Sequence, residues 1–304
     1  MNIHDSIASG STARRFNAAC VQALALDLDG TLLRPDNTLS SRTIAAVQRF
    51  LSKGGRAIIC TGRSIEAAEP YRAALGAQGP MVYFNGAQVA EGETIRYAAL
   101  LDLEIAAYCV GLSRRLGLYY QMYLPSADGK SVLLAERRSA EAEQYQRHTG
   151  IAPVIQDLEE VLGGAAGFAG CIKGMFICGP DRHELIRKEV SARFGGRMSM
   201  VRSSPTFLEI LCAGVSKGRG LQEVLNHYRI DRSQVMAFGD EENDLSLFAA
   251  AGFSAAPANA KAAVQAAADM VIGSNAEDGV AGFLESPACA ALGGFFTGAG
   301  APRL

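Results

Sequence analysis

The sequence has no excess of positive charge: over 304 residues, 29 Lys and Arg stand against 31 Asp and Glu, for a formal net charge of −2. A chain so balanced carries no bulk cationic field to recruit nucleic acid or an anionic membrane, and neither is an expected partner. A cysteine framework is also missing. The seven cysteines, at 20, 60, 109, 171, 178, 212 and 289, are odd in number and form no Cys-x-x-Cys pair. They read as free thiols in a reducing, cytoplasmic setting. Histidine is scarce, with four residues at 4, 148, 183 and 227, none spaced from another His or a Cys as metal ligands are. Zinc and facial-triad iron have little to build on, so any metal should be held by oxygen. No apolar run suits a membrane. The uncharged stretch from Ser286 to Pro302 is interrupted by Pro287 and by glycines 293, 294, 298 and 300, which is wrong for a span. The run after Arg14-Arg15 is broken by Asn17 and Gln22, so a cleaved leader is not expected either.

What is present reads as a folded protein. Hydrophobic residues make up 49% and charged residues 20%, near the globular average and far from the regime of disorder. The length is twice a typical domain of roughly 150 residues, which admits one large domain or two smaller ones. Residues 1–20 have no apolar periodicity and read as an extension. From 21 to 87, short apolar runs alternate with helical patterns. The run Gln22–Leu28 enters Asp29-Gly30; Ser40-Ser41 offers a cap to a helix carrying Ile44, Val47, Phe50 and Leu51; Arg56–Cys60 enters Thr61-Gly62-Arg63; and a third strand, Met81–Phe84, enters Asn85-Gly86. Strands and helices alternating at this length imply a doubly wound, Rossmann-like parallel sheet. The texture changes over 88–211. Longer helices near 102–116, 139–149 and 181–194 alternate there with strand-like segments at 119–124, 171–178, 198–202 and 207–211, the last two read as an antiparallel pair joined through Ser203–Thr206. We read this as an inserted α+β domain. The βα rhythm returns over 212–286, and 287–304 reads as a flexible tail.

Asp27 and Asp29 stand two residues apart where a parallel strand ends, the edge at which open α/β sheets place their sites. Taken alone, the pair reads equally as an Asp-Gly turn or as a catalytic couple. Three more strand ends carry matching chemistry: Thr61-Gly62-Arg63, Asn85, and Gly239-Asp240-Glu241-Glu242-Asn243-Asp244. Asp27, Asp29, Asp240 and Asp244 together offer hard oxygen ligands suited to Mg²⁺. The three histidines on predicted helices, 148, 183 and 227, read as surface or core residues. The tyrosines at 119, 120 and 123 read as the packing face of a strand.

In order along the chain, DLDGTLL (27–33), TGR (61–63), NGA (85–87), GVSKGRGL (214–221), GDEENDL (239–245) and NAEDGVA (275–281) resemble the motifs of the haloacid-dehalogenase-like hydrolases. Within them the likeness is to the Cof-type phosphatases with a large α/β cap, subfamily IIB. The resemblance implies a Mg²⁺-dependent phosphomonoester hydrolase acting on a small phosphorylated metabolite, as a monomer or homodimer, through an aspartyl phosphate. It implies Asp27 as nucleophile, Asp29 as acid and base, and metal ligation by Asp27, Asp29, Asp240 and Asp244. Thr61 and Lys217, the latter early in a helix capped by Ser216, are implied as phosphoryl-binding catalytic residues, with Gly62, Arg63, Asn85 and Asn243 also at the phosphate. It implies a core of 21–87 and 212–286 with the cap at 88–211. Where the family usually has Met-Gly-Asn-Ala, this chain has Pro257-Ala258-Asn259-Ala260, and no contact is carried over from that loop. A phosphomutase of the same fold, or a phospho-ligand binding module that has lost turnover, fits the same motifs.

Overall fold

The computed structural model describes residues 21–126, 130–164 and 169–291. They form two compact units. The described residues up to Cys60, Tyr71–Gly79 and those from Leu221 onward make the first; Thr61–Pro70 and the described residues of Pro80–Gly220 make the second. The expected extension at 1–20 lies outside the described residues, as does 292–304 of the expected tail. The tail's first residues, Pro287–Ala291, form a short helix with Cys289 buried.

The first unit is built on five parallel strands in the spatial order Met270–Ile272, Phe253–Pro257, Val235–Phe238, Ala23–Leu26 and Arg56–Ile59. Every residue of the middle three is buried, which a parallel strand covered on both faces requires and which these apolar sequences meet. A helix at Ser41–Leu51 starts where the Ser40 hydroxyl accepts from the Thr43 amide at 3.0 Å, and it turns Ala46, Val47 and Phe50 into the core. The chain passes from the Ala23 strand to the Arg56 strand on one side, while the Val235 strand lies on the other side. The Ala23 and Val235 strands therefore flank a topological switch point, where such sheets open a crevice at their carboxyl ends.

The second unit holds a six-stranded sheet in the order Met198–Ser204, Phe207–Cys212, Lys173–Ile177, Tyr119–Pro125, Ser131–Ala135 and Val154–Ile155, antiparallel except in its last pair. The period-two alternation of strands divides its residues cleanly. Tyr120, Met122, Leu124, Phe176, Leu208 and Ile210 share one core with the helices Leu103–Leu116 and Pro180–Phe194. On the opposite face Gln121, Tyr123, Lys173, Met175 and Glu209 are buried as well, a polar row that returns below. All three tyrosines at 119, 120 and 123 are buried.

Met81–Phe84, expected as a third strand of the parallel sheet, instead supplies Met81–Tyr83 to a three-stranded antiparallel sheet with Gln88–Glu91 and Thr94–Ala98. The cause is the turn at Phe84–Gly86, where φ is +50°, +57° and +97° in succession, so that the chain doubles back on itself. No helix among the described residues is long and apolar enough to cross a membrane.

Candidate active site

In the first unit, Leu26 pairs in register with Phe238, and the Asp27 amide donates to the Phe238 carbonyl at 3.1 Å. The two strands thus release Asp27 and Gly239-Asp240 at one level. Beyond Asp27 the chain makes a single wide turn over Leu28–Leu32, closed by the Leu33 amide on the Leu28 carbonyl at 2.8 Å. Gly30 in that turn has φ +75°, and a Cβ there would lie 2.2 Å from Asp240 Oδ2. Only glycine permits both the backbone conformation and the approach. The Thr31 hydroxyl then donates to Asp240 Oδ1 at 3.0 Å. Asp244, fully buried, accepts from the Asp240 and Glu241 amides through Oδ2, both at 3.0 Å, in space left by Gly239, whose Cβ would lie 2.3 Å from that of Asp244. As a result, one carboxylate oxygen from each of Asp27, Asp240 and Asp244 lies within 4.8 Å of the others.

Three carboxylate residues at this spacing offer the hard oxygens that suit Mg²⁺, which is usually held by one or two carboxylates with water and substrate oxygens in its remaining positions. The Asp29 carboxylate is not part of that group; the residue is half-exposed at φ −73°, ψ 122°, on the turn beyond Asp27. Asn243 occupies the short turn Glu242–Asp244, where its carbonyl accepts from the Ser246 hydroxyl at 3.0 Å.

The remaining expected residues belong to the second unit. Thr61 directly follows Cys60, whose amide donates to the Leu26 carbonyl at 2.8 Å. The Thr61 hydroxyl accepts from the Arg63 amide at 3.1 Å, the Thr61 carbonyl from the Asn85 amide at 2.9 Å, and the Arg63 carbonyl from the Phe84 amide at 3.0 Å. Gly62 packs against Asn85: a Cβ at Gly62 would lie 3.1 Å from Asn85 Nδ2. Lys217 opens the helix Lys217–Tyr228, and the Ser216 hydroxyl accepts from the Arg219 amide at 3.2 Å. That helix start touches the Asn85 turn, since a Cβ on Gly86 would fall 2.0 Å from the Ser216 carbonyl and one on Gly220 would fall 3.1 Å from the Gly86 Cα. Thr61, Arg63, Asn85 and Lys217 are all buried and are drawn together by these contacts.

Some residues here were given no role in the site from the sequence. Asn259, on the loop that departs from the family pattern, donates to the Gly30 carbonyl at 2.7 Å and accepts from the Asn275 amide at 2.9 Å. Asn275 in turn donates to the Leu33 carbonyl at 2.8 Å. The Arg34 guanidinium bonds both oxygens of Asp278, at 2.9 and 2.7 Å, and holds that carboxyl below the usual carboxylate range. The Asp27–Leu33 turn is thereby tied to the Asn275 segment. Lys173 and Glu209, a buried pair 3.2 Å apart, also went unread; the one sequence signal was charge inside otherwise apolar strands. Of the histidines, His183 is buried, with its imidazole pushed below its ordinary value by desolvation; His148 is half-buried and His227 exposed.

Comparison with known proteins places these geometries in context. The family model described as haloacid dehalogenase-like hydrolase matches residues 24–284. The 5-amino-6-(5-phospho-D-ribitylamino)uracil phosphatase YitU of Bacillus subtilis is 30% identical over 268 residues, 86% of this chain and 96% of that protein. The pyridoxal phosphate phosphatase YbhA of Escherichia coli is 28% identical, over 87% of this chain and 98% of its own. Among solved structures, TM0651 from Thermotoga maritima superposes with a TM-score of 0.73 at 27% identity, over 87% of this chain and 96% of that one.

Proposed function

The chain belongs to the haloacid dehalogenase-like hydrolases, and on that premise we propose that it hydrolyses phosphomonoesters of small metabolites, with Asp27 as nucleophile and Mg²⁺ as cofactor. The observation that supports this reading best is the convergence of Asp27, Asp240 and Asp244 at the carboxyl ends of two adjacent parallel strands. A divalent cation held by these three residues would supply the positive charge that lets a carboxylate approach a phosphate dianion.

A carboxylate oxygen of Asp27 attacks phosphorus as the ester P–O bond breaks, and Asp29 gives its proton to the departing alkoxide. The same Asp29, now ionised, takes a proton from water. That water attacks the phosphorus of the aspartyl phosphate, releasing inorganic phosphate and restoring Asp27. In this division of labour the proton is carried by Asp29, whose carboxylate is not one of the three grouped oxygens. The Thr61 hydroxyl and the Lys217 ammonium bind non-bridging oxygens, with Gly62, Arg63, Asn85 and Asn243 in support. These roles rest on the motif order and on the chemistry of the side chains. Residues 88–211 read as the cap that selects the leaving group.

The named relatives act on a phosphorylated ribityl pyrimidine and on pyridoxal phosphate. A screen of purified protein with Mg²⁺ should therefore include both, beside sugar phosphates, nucleotides and flavin mononucleotide. Release of inorganic phosphate from at least one is expected. Tight binding of a phosphorylated compound without phosphate release would favour a binding module, and intramolecular transfer of the phosphoryl group would favour a mutase.

A further inference from the structure

We propose that Lys173 and Glu209, on neighbouring strands of the six-stranded sheet, are positioning residues that fix the Thr61–Arg63 loop and Asn85 in their phosphate-binding conformation. The proposal rests on the reading of Thr61 and Asn85 as phosphate ligands. The two side chains are 1% and 2% exposed, with Lys173 Nζ 3.2 Å from Glu209 Oε2. A pair so deeply buried gains little for stability, since apolar residues of similar size often serve as well or better. Its contacts suggest another use. Lys173 Nζ donates to the Gly62 carbonyl at 2.9 Å. Glu209 Oε2 also accepts from Asn85 Nδ2 at 2.7 Å, and Oε1 accepts from the Ser203 hydroxyl at 2.5 Å. The rings of Phe84 and Tyr123 flank the ammonium, with centroids 5.5 and 5.7 Å away.

The pair completes a pattern in the loop. Three successive carbonyls, of Thr61, Gly62 and Arg63, accept from the Asn85 amide, Lys173 and the Phe84 amide respectively. Carbonyl oxygens repel an anion, so engaging all three inside the protein is what a phosphate-binding loop needs. Phe84 and Asn85 also hold left-handed backbone at φ +50° and +57°, a conformation that Asn tolerates but that a bulky residue such as Phe84 keeps only when its surroundings impose it. Glu209 holds the Asn85 side chain, and through Lys173 the same carboxylate is tied to Gly62. One buried ion pair thus clamps both halves of the turn.

The test uses the full chain with p-nitrophenyl phosphate and Mg²⁺, at a temperature where each variant is folded by circular dichroism. Lys173→Met and Glu209→Gln are each expected to lower kcat by about 10- to 100-fold, the range for partners that orient a binding group, and to weaken orthovanadate inhibition by a similar factor. The Lys173→Met/Glu209→Gln double variant should be no worse than the poorer single, because both substitutions remove one network; having no unpaired buried charge, it carries the test if a single variant fails to fold. Hydrogen–deuterium exchange of the unliganded protein reads the clamp without turnover. Amides of 61–64 and 84–87 should exchange faster in the variants while those of the Leu103–Leu116 helix stay protected. Folded variants with unchanged exchange in those two segments, or with wild-type kcat and vanadate inhibition, would overturn the proposal. Should the wild type hydrolyse no phosphomonoester yet the exchange difference appear, the phosphatase reading falls and the clamp stands.

Discussion

In the first unit the buried carboxylates of Asp27 and Asp244 gather with Asp240 in a group of like charge; in the second, the buried carboxylate of Glu209 faces the ammonium of Lys173. Like charges at 4.8 Å or less repel one another, so an added cation would favour the first arrangement. The second is balanced within itself and calls for none. The sheets differ in the same sense. Parallel strands spend their residues on burial and leave chemistry to their ends, whereas the antiparallel sheet packs an apolar core on one face and keeps a polar, hydrogen-bonded row on the other. On the proposed reading, charge in one unit recruits an ion and in the other holds a backbone still.

That contrast can be broken at several points. The largest effect is expected from Asp27→Asn, which removes the proposed nucleophile and should take turnover to the uncatalysed background; a steady-state assay measures it, and residual activity above about 10⁻⁴ of wild type would make Asp27 a ligand only. Asp29→Asn should cost roughly 10²- to 10⁴-fold in kcat, the usual weight of a general acid and base. Next comes the metal. EDTA should abolish turnover and Mg²⁺ restore it, and Asp240→Asn should raise the Mg²⁺ concentration for half-maximal activity by about 10- to 100-fold, while Glu209→Gln leaves that concentration unchanged. An equal rise in both variants would erase the distinction between the two units. Gly30→Ala forces a side chain into left-handed backbone and against Asp240, and should lower stability by about 2 kcal/mol or more in denaturant unfolding. The smallest effect concerns His183, whose folded pKa lies below its ordinary value. Stability from its neutral form is present above an unfolded pKa of about 6.5 and is lost as the pH falls through the lower folded value. A Tm that declines between pH 7 and pH 5.5 by about a degree or two, and a flatter profile in His183→Gln, are expected.

The parallel core was legible because its signals are local. Apolar runs such as Ala23–Leu26 and Val235–Phe238 end in Asp or Gly, and Ser40 precedes a helical repeat. The grouping of Asp27, Asp240 and Asp244 was legible for the same reason, each lying within a few residues of a strand end, whereas Asp29, expected among the ligands, is not in that group. The turn at Phe84–Gly86 was not, because left-handed Phe84 is no turn signal in a sequence, and the hairpin Gln88–Glu91 with Thr94–Ala98 went unread with it. Strand Ser131–Ala135 was likewise unread, being short and without clear alternation. Lys173 and Glu209 are 36 positions apart in the chain, and only the register that brings Lys173–Ile177 beside Phe207–Cys212 makes them a pair. Asn259 shows the limit of motif reading from the other side: its loop departs from the family pattern at Pro257 and Ala258, but Asn259 itself matches, and its side chain ties the Gly30 turn to Asn275.

The most direct measurement is of the covalent state of Asp27 during turnover. Protein mixed with substrate and Mg²⁺, quenched in acid within milliseconds and digested, should yield the peptide containing Asp27 with one added phosphoryl group, removable by hydroxylamine and missing from the Asp27→Asn variant. Full turnover with that peptide unmodified at every quench time, or with the phosphoryl group on another residue, would contradict the assignment of Asp27 as the nucleophile.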